Sequence, residues 1–487
     1  MKKQPLFILF VLFSMISTAF AQNSTIHGSI LHSADPDLKI NIPVDGKFFE
    51  GANITTAIDA TTGEFQINFE IKQSGFITLV NNWRSIKLFV VPGKTYEIEW
   101  DMKTRSAVKI TGYQSEGQMM LQQLALGQNA KRLSAQLDSL KTVKERCSLA
   151  TKIADEKIAR VKSIYKQKKI SKDFYRSTLN LIEVDRINSL STNFFFEYRK
   201  WEGRSDEDLP KMAIFFKEFM PAWSDLYKRI NNSNVWLKSS AFTDLLGNYK
   251  FYLNLADSGR LVFGRGNYAR LYLDEIKHTL KGEMKEYAWG NLIVVGVNQK
   301  EYEKEWIQNF EDFKKKFPKS SLIPYLTLTI QKVIDYQAQL ESQKDPDVIF
   351  IKNYEQINEF SQLLAELKGK VTYIDLWATW CVPCREELQY SIAMHQTLED
   401  LGVQSLYLSL DKDNAHDKWY KMVYGLGLKG LNMRVNSTLH EVLNKTIPQF
   451  YGIPRYLIVD KEGKVVEWNA KRPSDQLLLI EQLKKYL

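Results

Sequence analysis

Tyr373-Ile374-Asp375-Leu376-Trp377-Ala378-Thr379-Trp380-Cys381-Val382-Pro383-Cys384-Arg385-Glu386-Glu387 is the stretch on which the fold of this chain turns. Its opening residues are aromatic, β-branched and apolar around one carboxylate, the make-up of a buried strand. Two cysteines then follow at i and i+3, and the pattern from Cys384 to Leu398 is helical. A strand that runs through such a pair into a helix puts the first cysteine beside unpaired backbone N–H groups and the positive end of the helix dipole. Both favour a thiolate and lower its pKa below the ordinary value of about 8.5. Cys381 is then the nucleophile and Cys384 the thiol that resolves a mixed disulfide. Pro383 has no N–H to leave unpaired and stiffens the start of the helix. The spacing alone is shared with zinc knuckles and static clips, so the surroundings must decide.

Working outward, Val348-Ile349-Phe350-Ile351 reads as a short strand followed by a helical stretch to Leu367. Ser405 to Leu410 reads as a strand ending in Asp411-Lys412-Asp413, with a helix around Asp417 to Tyr424. Tyr456 to Asp460 and Lys464 to Trp468 form a hairpin across Lys461-Glu462-Gly463, and a last helix lies near Asp475 to Tyr486. Strands alternating with helices and then a hairpin and helix describe an α/β domain over 346–487.

Upstream, residues 111–345 have a different texture, with long charged and amphipathic runs such as Glu116 to Tyr165 and Ser171 to Tyr198. Ser171, before Lys-Asp-Phe, and Ser205, before Asp206-Glu207-Asp208, are N-cap signals. Leu133, Leu137 and Leu140 recur at helical spacing and read as core. The run Phe194-Phe195-Phe196-Glu197-Tyr198 with Trp201 is read as a helix packing on a neighbour rather than a groove lining. This all-helical middle domain carries no recognisable chemistry; spacing, homodimer formation and holding a client are the uses open to it. Residues 22–110 alternate with period two, as in Gly63 to Phe69 and Tyr96 to Trp100, with Pro92-Gly93 as a turn, and predict an antiparallel β-sandwich.

The chain opens Met1-Lys2-Lys3, continues apolar from about Pro5 through Ile16, and reaches Ser17-Thr18-Ala19-Phe20-Ala21. A basic start, a short apolar core and a small-x-small site predict a signal peptide over 1–21 and a soluble mature protein in the periplasm or another extracytoplasmic space. With 487 residues, 44% hydrophobic and 25% charged, several folded domains are expected. A net charge of +9 is modest for that length, the lysine runs sit beside acids, and no nucleic-acid module is recognisable. Three cysteines do not make a structural disulfide framework, nor can they close a zinc site by themselves. None of the six histidines sits beside the pair, and neither metal nor cofactor is expected. Cys147 reads as a thiol partly buried on a helix.

The stretches Lys368-Gly369-Lys370 into Tyr373 to Glu387, then Gly452-Ile453-Pro454-Arg455-Tyr456-Leu457-Ile458-Val459-Asp460, and Arg472-Pro473-Ser474, resemble thioredoxin. They resemble more closely the exported thiol-disulfide reductases of the TlpA and ResA kind, over residues 346 to 487. The three-part architecture is also similar to multidomain TlpA-like proteins of Bacteroidetes. The resemblance implies that Asp375 is a buried carboxylate of raised pKa that passes a proton to or from Cys384. It implies that Trp377 and Trp380 wall the dithiol and that Pro454 is a cis-proline facing it, with Ile453 offering backbone groups to a client. Trp380, Val382, Pro383, Ile453, Pro454 and Arg455 are thus the substrate-binding candidates, and Cys381, Cys384 and Asp375 the catalytic ones. Two positions depart from the pattern. Gln389 stands where such helices carry a kinking proline, and Arg455 replaces a small hydroxyl residue, either as a cation beside the groove or pointing to solvent.

The expected activity is reduction of protein or peptide disulfides, with an upstream membrane electron donor. A disulfide oxidase or isomerase is the alternative within the same chemistry, and a client-binding scaffold with a secondary redox module is the alternative outside it.

Overall fold

The computed structural model describes residues 22–33, 35–82, 84–104, 108–126, 130–200, 209–228, 234–258, 273, 276–300, 302–341 and 345–487. The expected signal peptide at 1–21, Trp201 and the Ser205 cap lie outside them. Among the described residues the chain gathers into two compact units. One takes residues up to 291 with Lys319–Leu322, and the other takes 292–318 with Ile323–Leu487.

The first unit begins with two four-stranded sheets among the described residues. One is ordered Glu64–Ile71, Gln22–Leu31, Thr95–Asp101, Val108–Gly112, and the other Asn53–Ala57, Asp37–Asn41, Gly75–Asn81, Arg84–Val90. Strict alternation works as expected in Glu64–Ile71: Phe65, Ile67, Phe69 and Ile71 are buried, and the residues between them are exposed. The pairing is antiparallel except between Gln22–Leu31 and Thr95–Asp101, which run parallel. Helices follow, among them Val143–Lys166 and Lys172–Arg199. Ser171 caps the second, its hydroxyl accepting the Phe174 N–H at 3.1 Å. Two members of the aromatic run are core: Phe194 meets Phe219 and Trp223 edge-on and Tyr198 packs on Phe215, while Phe196 stays 44% exposed. No described helix is long and apolar enough to cross a membrane.

The second unit is built, among the described residues, on a six-stranded sheet. Its order is Val465–Glu467, Arg455–Val459, Thr372–Trp377, Gln404–Ser409, Gly430–Arg434, Val348–Phe350. Thr372–Trp377 is central, parallel to Gln404–Ser409 and antiparallel to Arg455–Val459, and every one of its side chains is buried. Full burial on both faces explains why this strand reads as a nearly unbroken apolar run. Ile374 and Leu376 pack toward Phe360, Leu439 and Leu443 on one side. On the other, Tyr373 packs with Met394, Leu398 and Leu479, and Trp377 with Cys384, Leu388 and Trp419. The strand Gly430–Arg434 and the helix Ser437–Thr446 are additions to the expected pattern.

The helices Glu305–Lys316 and Ile323–Glu341 belong to this same unit. The Tyr336 ring lies where a Cβ on Gly425 would project, and its hydroxyl donates to the Lys421 carbonyl at 3.3 Å. Trp306 likewise fills the space beside Gly296.

Candidate active site

The central strand delivers the chain into a short loop, Ala378 to Trp380, and then into the helix Val382–Asp400. That loop is clamped from the next strand. Asp411, buried, accepts the Thr379 backbone N–H and the Thr379 hydroxyl, each at 2.8 Å, and the Ser409 hydroxyl at 2.8 Å. Arg385 closes the loop from the helix side by donating to the Thr379 carbonyl at 2.6 Å. Hydrogen bonds to a buried carboxylate are each worth about 1.5–3 kcal/mol, and losing the acceptor strands a buried N–H. Asp411→Ala is therefore expected to destabilise the second unit by roughly 3 kcal/mol, read as faster amide hydrogen exchange across Thr372–Trp377. Exchange at the wild-type rate would show that the clamp carries no stability.

Cys381 is the N-cap residue of the helix, in an extended conformation, and its Sγ accepts the Cys384 backbone N–H at 3.2 Å. The two sulfurs are joined as a disulfide. Cys381 is 5% exposed and Cys384 1%, so the first cysteine is the one nearer solvent. Val382 is half-buried and Pro383 exposed on the helix's first turn. The helix continues unbroken past Gln389, whose side-chain carbonyl accepts from Lys300 at 3.0 Å.

The opposite wall is the loop before Arg455–Val459. The Ile453–Pro454 peptide bond is cis, and the Ile453 carbonyl oxygen lies 3.8 Å from the Cys381 sulfur. Trp380 is 62% exposed and Tyr451 92%. With Lys412, His440, Phe450 and Ile453 they line a groove of about 620 Å³ beside the dithiol. Arg455 is half-buried and held to backbone: its Nε donates to the Trp468 carbonyl at 2.7 Å and its Nη2 to the Pro448 carbonyl at 3.0 Å, tying the loop to the hairpin.

Asp375 lies on the central strand, 2% exposed, opposite Tyr407 on one neighbour and Tyr456 on the other. Burial pushes its carboxyl up to about 8; the Ser391 hydroxyl, 3.4 Å from Oδ2, opposes this, and the nearby Glu387 adds to it. Ser391 is seven residues beyond Cys384, two turns along the same buried helix face. A closed space of about 10 Å³, near the size one water needs, is bounded by Asp375, Ser391, Ser405 and Tyr407.

Thr379, Arg385, Glu387, Ser391, Asp411 and Tyr456 complete this environment and were not singled out from the sequence. Glu387 and Ser391 could have been found by projecting Cys384 along a helix, since i+3 and i+7 share its face. Cys147 sits in the first unit on Val143–Lys166, partly exposed, and burial pushes its thiol up.

Residues 343–476 match the Redoxin family. A thiol-disulfide oxidoreductase ResA of Bacillus thuringiensis (strain Al Hakam) is 30% identical over 107 residues, 21% of this chain and 57% of that protein. The ResA of Bacillus subtilis (strain 168) is 26% identical over 104 residues, 21% of this chain and 55% of that protein. The chain thus spans little more than half the length of the curated relatives it matches. Among solved structures, the thioredoxin domain of a thiol-disulfide oxidoreductase from Bacteroides vulgatus is 25% identical, covering 26% of this chain and 84% of that one, with a TM-score of 0.22.

Proposed function

We propose, starting from a C-terminal thioredoxin-superfamily Redoxin domain related to ResA- and TlpA-like oxidoreductases, that this protein reduces disulfides in exported proteins or peptides. The observation that carries the reading is the dithiol at a helix N-terminus facing a cis-proline loop, with the Ile453 carbonyl 3.8 Å from Cys381. In the reduced enzyme the Cys381 thiolate attacks one sulfur of a client disulfide, and the other client sulfur leaves as a thiolate that takes up a proton. Asp375 in its ionised form, the minority below about pH 8, takes the Cys384 proton as Cys384 attacks Cys381. The Cys381–Cys384 disulfide forms, the second client thiol departs, and two electrons have passed to the client. A membrane dithiol donor restores the reduced pair.

Trp380, Val382, Pro383, Ile453 and Pro454 form the client contact in this reading, and Arg455 supports it from behind by holding the loop to the hairpin. The signal-peptide pattern at 1–21 supports an extracytoplasmic site of action. A division into 22–110, 111–345 and 346–487, as in multidomain TlpA-like proteins of Bacteroidetes, is part of the proposal, as is a homodimer formed through the helical domain.

The test is to replace Cys384 by serine in the full chain and search for disulfide-linked clients. Mixed disulfides on Cys381 are expected, and their absence across growth conditions would end every thiol-exchange reading. Direction is decided separately: a reduction potential well above about −150 mV would mark an oxidant and overturn the reductase assignment.

A further inference from the structure

The groove beside the dithiol combines an apolar wall with polar groups that the chain itself does not use. Leu410 is buried in that wall, and Phe450 and Ile453 pack partly against the core beneath it. Trp380 and Tyr451 line the same groove and stay 62% and 92% exposed. Two large aromatic side chains left in solvent beside a reactive disulfide mark a surface that another chain covers. Gly452, which follows Tyr451, sits at φ +144°, strained for any residue with a side chain, so the turn between Tyr451 and Ile453 depends on glycine.

The groove's polar lining has one sign of free charge. Its acid, Asp411, is buried and has both oxygens taken: Oδ1 by the Thr379 hydroxyl, Oδ2 by the Thr379 N–H and the Ser409 hydroxyl. Asp413, the next acid along the chain, is held by Arg434 at 2.7 Å. Against these, Lys412 is exposed and His440 half-buried, and neither side chain has a hydrogen-bond or ion-pair partner among the described residues. The same is true of the amides of Asn414 and Asn444. Arg455, the cation that the sequence offers for this place, is committed to the Trp468 and Pro448 carbonyls instead. A donor-rich lining with an unpaired ammonium is complementary to a carboxylate.

We infer that this groove selects acidic client segments, resting on the reading of Cys381 as the attacking thiol. The client is an extended peptide in which a large apolar side chain next to the disulfide cysteine lies against Trp380 and Tyr451. An aspartate or glutamate close by in the same segment pairs with Lys412 and accepts from His440, and the Asn414 and Asn444 amides bond its backbone. These groups choose the client and leave the exchange of sulfurs to Cys381 and Cys384. An ion pair at a wet groove acts on encounter and discrimination, and salt weakens it.

Three disulfide-bonded peptides test this, alike except for Glu, Gln or Lys at one position near a Phe-Cys pair. The full-length protein reduces each, read as kcat/KM, and dye-labelled counterparts with alanine for cysteine are titrated by fluorescence anisotropy. The Glu peptide should be preferred over the Lys peptide about tenfold in both measurements at low ionic strength, since the swap turns an attraction into a repulsion. The preference should shrink as salt is added. Lys412→Glu should reverse the order, whereas a structural defect would weaken all three peptides alike. Tyr451→Ala should remove the advantage of phenylalanine over serine beside the cysteine and keep the preference for acid. Equal values for the Glu and Lys peptides, or a preference unchanged in Lys412→Glu, would overturn the inference, as would binding of none of the alanine peptides. Binding in the order Glu, Gln, Lys without any reduction would uphold the groove and sink the proposed activity.

Discussion

Cys381→Ser is expected to abolish disulfide exchange, lowering the rate at which the full chain reduces a disulfide-bonded peptide on the order of 10³-fold or more. A serine hydroxyl in the same N-cap position would still accept the Cys384 N–H, so the helix start survives while the nucleophile is lost. Cys384→Ser should behave differently. Attack by Cys381 continues, the bound client is not released, and one equivalent of mixed disulfide accumulates while turnover stops. Stopped-flow and non-reducing gels separate the two outcomes. If both variants turned over at comparable rates, the order of attack assigned from exposure and helix position would be wrong.

Asp375→Asn should make the protein more stable and a worse enzyme at the same time. Burial pushes the folded carboxyl up to about 8, against 3.8 for the unconstrained group. Between those two values the folded chain keeps a proton that the unfolded chain has released. Stability therefore falls as pH rises from about 4 to about 8. At pH 7 that loss is roughly 4 kcal/mol, and burying an imperfectly paired amide returns about 1–2 kcal/mol of it. A net gain of roughly 2–3 kcal/mol follows at pH 7, crossing zero at about pH 5 and reaching its plateau above about 8. Native-state hydrogen exchange of the Thr372–Trp377 amides measures it in the relevant unit. Resolution by Cys384 should slow by about 10²-fold, the ordinary worth of a placed acid–base group. A gain that did not change with pH would remove the raised carboxyl from the explanation, and an unchanged resolving rate would leave Asp375 a purely structural residue.

What the residues disclosed and what they hid have physical causes. Thr372–Trp377 and Gln404–Ser409 were legible because strands buried on both faces are rich in apolar, aromatic and β-branched side chains. The helix at Val382 is legible from its cysteine and proline, and Ser171 and Asn436 both cap their helices through side-chain acceptors of the kind a sequence displays. Gly430–Arg434 was hidden because it buries polar groups inside the sheet. Asn432 donates to the Leu428 and Gly430 carbonyls, and Arg434 reaches Asp413 and the Asp411 carbonyl. Partners that satisfy such groups come from loops whose position is set only by the finished fold. The same holds for the clamp on Thr379, whose acceptor lies 32 residues further on, and for Tyr456, which reads as an ordinary strand aromatic until its register beside Asp375 is known.

The ring of Tyr336 above Gly425 bears on how this protein can be dissected. A fragment cut where the sequence changes texture, at residue 346, would shed Glu305–Lys316 and Ile323–Glu341 and uncover the seam that Tyr336 fills on the helix His416–Leu426. Such a piece would carry the whole dithiol site yet also a bare apolar face, and losses of solubility or stability in it would say nothing about the reaction. A fragment beginning near residue 292 keeps the seam covered, and it is the smaller piece in which the second unit's chemistry could be weighed without its neighbour.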